Sequence, residues 1–333
     1  MSSLYVTESS ATIRLEANRC IVKYADGMQT EIPIETLEGI TIIGRAQMTT
    51  QCAQECLKRG IPVSYFSTGG SYYGKLLSTG HVNTQRQRKQ CELYESRFAI
   101  DLTRILIRAK LKNQIVVLKR YERSRIISVS DSLRMMHICR EKLLLCRKIS
   151  EMMGYEGQGA KAYFDGLSVL VEPEFAFQGR NKRPARDEFN SMLNLGYFVL
   201  RNEIYGKIEE KGLNPYFGFM HRDKERHPTL VSDMMEEWRA VIVDATVMSM
   251  INGHEIQKED FATDMDEPGC FLTKSGMKKF LPKLEKKLQA QMKYLSYVDY
   301  DVSFRQGMAL QLNRLVKAIE SRDASIYRPI EIR

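Results

Sequence analysis

A chain of 333 residues, 43% of them hydrophobic, is long enough for two domains that each bury a core. Its 50 Lys plus Arg against 41 Asp plus Glu leave a formal charge of +9, which favours a polyanionic partner without identifying one. Seven scattered cysteines with no CxxC pair point away from zinc or redox chemistry and read as buried thiols, and no apolar run approaches the ~20 residues that cross a bilayer.

The N-terminal stretch Met1 to Glu8 lacks the basic-then-apolar order of a signal peptide, so the expected location is the reducing cytoplasm, with no membrane partner. From Leu4 to about Leu77 the chain reads as short strands. Ile13 and Leu15 alternate with Arg14 and Glu16, the mark of a half-buried strand. Asp26-Gly27 separates the apolar runs at 20–24 and 31–34 and predicts a tight hairpin. Further strands are expected at Gly39 to Ile43 and Pro62 to Phe66, with one helix between them, capped near Thr49 or Thr50 and stopped by Gly60. Cys52 and Cys56, four apart, share a face of that helix and suit a core.

Residues 81–92, with almost no apolar side chain up to Gln90, suit an exposed linker between a domain over 1–80 and another over 93–333. Beyond it the period changes: Phe98, Leu102, Ile105, Leu106 and Ala109 recur at helical spacing, as do long segments as far as Ser321. The expected fold is therefore α+β, a β-rich, sandwich-like N-terminal domain followed by an all-helical one.

Three segments of the second half gather glycine, acid and histidine. In Gly154-Tyr155-Glu156-Gly157-Gln158-Gly159 the glutamate stands at what reads as a helix start, where it either complements the helix dipole or serves chemistry. In Gly212 to His221 a turn-rich approach presents an imidazole, either a hydrogen-bonded structural residue or a ligand. In Thr229 to Arg239, Asp233 shares a helix face with Glu236 and Glu237, while Met234, Met235 and Trp238 make the helix partly buried, so a carboxylate there needs a partner. Carboxylates with one imidazole form a hard donor set that suits Mg2+ or Mn2+ better than zinc, and such ions drive phosphoryl transfer without a serine or cysteine nucleophile. With the positive charge, this suggests a nucleic acid phosphodiester as substrate.

In this order the segments GYEG, GFMH and DMMEEWRA resemble the GxEG, GFLH and DLMEEFRP motifs of the CRISPR-associated adaptation integrase family. Gly179 to Asp187, with Asn190 and Gly196-Tyr197, is similar to that family's basic loop and FGY signature, and the N-terminal stretches Leu4-Tyr5-Val6-Thr7, Ile32-Pro33-Ile34-Glu35, Ile43-Gly44-Arg45 and Gly60 to Ser64 resemble its β-domain. Trp238 stands for a phenylalanine, and Ala240 and Glu188 for prolines; these departures touch local helix geometry and leave the ligand positions intact. The resemblance implies that Glu156, His221 and Glu236 are catalytic metal ligands, with Asp233 as an alternative or accessory one. It also implies a homodimer formed through the N-terminal domain, a small ferredoxin-fold adaptation partner, and joining of 3′-hydroxyl ends of short foreign duplexes to the CRISPR repeat, with hydrolysis of DNA, branched forms included, when water replaces the hydroxyl. Arg180, Lys182, Arg183 and Arg186 are the candidates for contact with double-stranded DNA, whereas the lysine-rich run 274–287 reads as a solvated helix face. Two rival readings remain at this point: a repair nuclease outside CRISPR immunity that cuts branched DNA, and a non-catalytic DNA-binding scaffold.

Overall fold

Short apolar runs between turn residues become strands in the computed structural model, which describes residues 2–67, 72–79, 82–123, 127–181, 184–263, 269–295 and 297–332. The chain divides into two units, Met1–His81 and Val82–Arg333. In the first, β1 (Ser2–Val6), β2 (Thr12–Glu16), β3 (Arg19–Lys23), β4 (Gln29–Pro33), β5 (Leu37–Ile43) and β6 (Gln47–Met48) precede helix α1 (Thr50–Arg59), and β7 (Val63–Phe66) and β8 (Tyr72–Leu76) follow it. They form two sheets, ordered β1-β5-β7-β8 and β4-β3-β2-β6. The first is parallel except at its β7/β8 edge.

The expected hairpin joins β3 to β4, with Lys23 opposite Gln29. Gly27 takes φ 85°, a region open to glycine at no steric cost, and the Tyr24 N–H donates to the Met28 carbonyl at 2.9 Å. A second tight turn joins β2 to β3 through Ala17 and Asn18, both at positive φ (43° and 63°); no glycine marks it in the sequence. Thr49 caps α1, its hydroxyl accepting from the Cys52 N–H at 3.4 Å, and Gly60 ends it at φ 69°. Cys52 and Cys56 face one core with Cys20, Ile13, Val22, Ile40, Ile42 and Val63, so both sheets and the helix bury their apolar faces together.

The second unit carries helices α2 (Thr84–Glu92), α3 (Arg97–Glu122), α4 (Ser130–Lys142), α5 (Ile149–Leu170), α6 (Glu188–Glu210), α7 (Thr229–Met235), α8 (Ala245–Asn252), α9 (Lys274–Gln289) and α10 (Phe304–Ser321). It is helical but not all-helical: β9 (Phe261–Thr263) pairs with β10 (Cys270–Leu272), and β11 (Gln291–Met292) with β12 (Val302–Ser303). The stretch expected to be an exposed linker is helical from Thr84. Asn83 caps it by accepting from the Arg86 N–H at 3.0 Å, and buried Gln90 donates to the Asn214 and Phe217 carbonyls at 2.9 and 2.6 Å. Its polarity serves backbone hydrogen bonds of the second unit.

Candidate active site

Helix α5 starts at Ile149, a turn and a half before the glycine cluster. Glu151 fills its first turn and accepts the Arg147 and Lys148 N–H groups at 2.9 and 3.3 Å, so the acid that complements the dipole is Glu151, and Glu156 lies in the helix interior. The helix lies close against α3 because two residues lack a Cβ: one added at Gly159 would stand 2.5 Å from Leu111 Cδ2, and one at Gly166 2.9 Å from Leu118 Cδ2. That approach delivers Glu156 to Lys110, a residue of α3 that is only 7% exposed. The Lys110 ammonium reaches Glu156 Oε1 and, at 2.5 Å, Glu236 Oε2. Burial alone would lower this lysine, but the charges of Glu236 and Glu156 hold it above its ordinary range.

His221 ends a turn held by one carboxylate. Asp233 is fully buried; its Oδ2 accepts the N–H groups of Phe219 and Met220 at 2.6 and 3.0 Å, and its Oδ1 accepts that of His221 at 3.1 Å. The same Oδ1 lies 2.7 Å from the ring Nδ1, which fixes the imidazole and leaves Nε2 as the outward nitrogen. Gly218 is required here, since a Cβ would stand 2.9 Å from Asp233 Oδ2 and from the Thr229 backbone. Burial lowers the imidazole, but Asp233 and Glu236 outweigh it and keep its pKa raised.

The acids of DMMEE go to three places. Residues 229–238 are all buried, more than the apolar pattern required. After α7 the chain tightens, with Glu236 N–H donating to the Asp233 carbonyl at 3.3 Å and Trp238 N–H to that of Met235 at 2.9 Å, and then widens into a π-helical turn over Arg239–Asp244. This change of pitch breaks the shared face that a regular helix would give Asp233 and Glu237. Glu236 turns to Lys110 and accepts from Arg239 Nε at 3.1 Å. Burial pushes its carboxyl up, yet Arg239, Lys110 and His221 hold it down at about 2. Glu237 faces the opposite way: it accepts from Gln311 Nε2 at 3.0 Å, the Tyr327 hydroxyl at 2.9 Å and the Ile330 N–H at 2.7 Å, and burial raises it to about 8.

Arg239 also lies over the Tyr197 ring, 4.8 Å from its centroid, with Arg180 at 5.3 Å. The Tyr197 hydroxyl donates to Asp244 at 2.5 Å and Tyr163 donates to the same carboxylate at 2.9 Å. Arg180 is bound inward, donating to Asn190 Oδ1 at 2.8 Å and Asn194 Oδ1 at 2.6 Å. Arg186 is exposed. Lys182 and Arg183 lie outside the described residues. In the lysine-rich run, Lys279 and Lys283 are tied to Asp260 and Glu255, each at 2.5 Å.

Among the described residues, no group of three or more His, Cys, Asp and Glu stands ready as a cage for a metal ion. The donors nevertheless suit one. Two carboxylates and an imidazole are a set that Mg2+ or Mn2+ accepts, and the buried Glu236 Oε2, beside the Lys110 ammonium, makes no hydrogen bond of acceptable geometry among the described residues. Asp233 is a poor ligand, because four donors already occupy its oxygens. Lys110, Arg239 and Asp244 were not singled out from sequence. One signal for Lys110 was present: it repeats at helical spacing with Ile107, Gln114 and Val117 on the buried face of α3, where a lysine demands a charged partner.

The sequence matches the family described as "CRISPR associated protein Cas1" over residues 4–286. A CRISPR-associated endonuclease Cas1 from Mycobacterium tuberculosis is 34% identical over 333 residues, covering 100% of this chain and 98% of the relative, and one from Thermus thermophilus is 29% identical, covering 99% and 97%. In fold the chain is similar to a Cas1 protein from Thermotoga maritima, with TM-score 0.82, 22% identity and coverage of 96% and 97%, and to a casposase bound to integration product, with TM-score 0.85, 22% identity and coverage of 99% and 95%. A chain of a Cas6-RT-Cas1–Cas2 complex aligns with TM-score 0.85 and 23% identity, where this chain covers 36% of that one. The helical second unit, the strand-rich first unit and the full-length likeness lead to one conclusion: this chain belongs to the Cas1 family of CRISPR-associated proteins.

Proposed function

We propose that this chain is the metal-dependent DNA endonuclease and integrase of a CRISPR adaptation module. It joins the 3′-hydroxyl ends of short foreign duplexes to strands of the CRISPR repeat, and it hydrolyses DNA, branched forms included, when water takes the place of the hydroxyl. The observation that carries the reading is the pair of half-buried Glu156 from α5 and buried Glu236 from the end of α7, both in contact with one cationic group, with the braced His221 close enough to feel the charge of Glu236. The names of the relatives, endonuclease and casposase with an integration product, support the same chemistry.

Glu156, Glu236 and the Nε2 of His221 would hold Mg2+ or Mn2+, with Asp233 as the brace. When bound, such an ion neutralises charge on the phosphate and lowers the pKa of the attacking hydroxyl. The side chains supply position: Asp233 fixes the imidazole, and Arg239 fixes the Glu236 carboxylate. As the incoming 3′-oxygen forms its bond to phosphorus, the bond to the repeat strand's own 3′-oxygen breaks. That oxygen takes up a proton in place of the one lost by the attacking hydroxyl, so one phosphodiester is exchanged for another. Exposed Arg186, with Lys182 and Arg183 beside it in sequence, would hold the duplex through its phosphates. A homodimer formed through the N-terminal unit and a small ferredoxin-fold partner, Cas2, complete the proposed assembly in the cytoplasm. A Cas1–Cas2 complex among the structural neighbours supports that partner. Among the described residues, no helix is long and apolar enough to cross a membrane.

The test is incubation of the purified chain and Cas2 with a short duplex, a repeat-bearing supercoiled plasmid and Mn2+. Joined products are expected and should vanish with Glu156→Ala while duplex affinity persists. Joining that survives Glu156→Ala overturns the assignment.

A further inference from the structure

The acid pair of the site is already neutralised from within. Glu156 and Glu236 contribute two negative charges, and Lys110 and Arg239 two positive ones, all in contact. Arg239 approaches Glu236 through Oε1, which leaves Oε2 to the ammonium. Mg2+ coordinates oxygen at about 2.0 to 2.1 Å. An ammonium 2.5 Å from that oxygen occupies the volume the ion needs. Adding two positive charges to a buried neutral group without displacing one is also unfavourable. Lysine, with a compact charge on a flexible four-carbon stem, is able to swing away, whereas the planar fork of arginine is harder to move.

We propose that Lys110 is an internal competitor for the divalent ion: its ammonium holds Glu156 and Glu236 together when no ion is bound and must withdraw from them for an ion to be seated. This rests on the metal-binding reading above. It makes Lys110 a positioning residue that lowers metal affinity in exchange for keeping the half-buried Glu156 and the buried Glu236 from repelling each other. A lysine that merely stabilised the fold would stay in place and leave metal affinity unchanged.

Mn2+ binding to the full chain, followed by electron paramagnetic resonance and by calorimetry without DNA, tests this. Lys110→Met and Lys110→Gln should bind Mn2+ at least about tenfold more tightly than the wild type, or about 1.4 kcal/mol. Their ion-free melting temperature should be lower and their rise in melting temperature on adding Mn2+ larger. Glu156→Gln should lose binding. If the wild type binds Mn2+ and both lysine variants bind no tighter, the competitor role is overturned and the metal site stands. If the wild type does not bind, or Glu156→Gln binds equally well, both fall. Should the lysine variants fail to fold, nitrogen-15 spectra of the wild-type lysine ammonium groups decide. The Lys110 resonance should shift on titration with Mg2+, and a resonance that stays fixed while the ion binds overturns the proposal.

Discussion

Asp233 accepts four donors from inside the protein, so its loss is felt by the turn before it is felt by any reaction. Asp233→Asn should lower stability by about 3 kcal/mol, because it sets an amide N–H against backbone donors in a buried place, and should abolish strand joining by freeing the His221 ring. Denaturant unfolding and single-turnover joining check both; a variant with wild-type values in each would show that the brace is unnecessary. The basic loop divides differently. Arg186→Ala should leave the melting temperature unchanged and lower the salt slope of DNA binding by about one unit. Arg180→Ala should cost about 1 to 3 kcal/mol of stability, since it removes the guanidinium that donates to the Asn190 and Asn194 oxygens. Equal effects of the two variants in both assays would contradict this division. The residue types of the site were legible because motif order carries them. Their destinations were not: Glu236 and Glu237 are neighbours in sequence, yet one faces a lysine and the other a clasp of hydrogen-bond donors, set by the tightened turn that follows α7.

Elements whose ends carry their own chemistry could be read in advance. Thr49 and Gly60 bound α1, and Asp26-Gly27 the hairpin, because caps and positive-φ turns are local. Helix α2 escaped because its polar residues satisfy backbone groups more than a hundred positions away, and the interior placement of Glu156 escaped because the glycines near it suggested a start. Gly154 and Gly157 face open space, whereas Gly159 sets the spacing of α5 on α3. Gly159→Val should therefore lower stability by about 1 to 3 kcal/mol and reduce joining by moving Glu156 off its partner. Trimming Leu111 to Ala in the same chain should recover part of both, measured as a double-mutant cycle. Strict additivity would mean that this contact does not set the spacing.

At the scale of the whole molecule, two buried acids shape the response to pH. Glu237 is raised to about 8 from an ordinary 4.5, and Asp244 to about 6 from 3.8. The folded chain thus keeps protons that the unfolded chain has released, so stability falls as pH rises, between about 4 and 6 for Asp244 and between about 4.5 and 8 for Glu237. At roughly 1.4 kcal/mol for each pH unit between the two values, Glu237 alone accounts for a few kcal/mol. Glu237→Gln should flatten its part of the curve, most visibly at pH 8, in unfolding measured from pH 5 to 8; an unchanged curve would show that Glu237 does not govern it. The clasp that holds this acid has a further consequence. The Ile330 N–H is bonded to Glu237 and the Ile332 N–H to buried Asn113 of α3, while the N–H groups of residues 219–221 depend on Asp233 one turn before Glu237. Two irregular segments therefore hang from one buried stretch, residues 229–238, and the second of them from α3 as well. In deuterated water their amides should not exchange at the fast rates of loops but together, at the slow rate set by cooperative opening of that stretch.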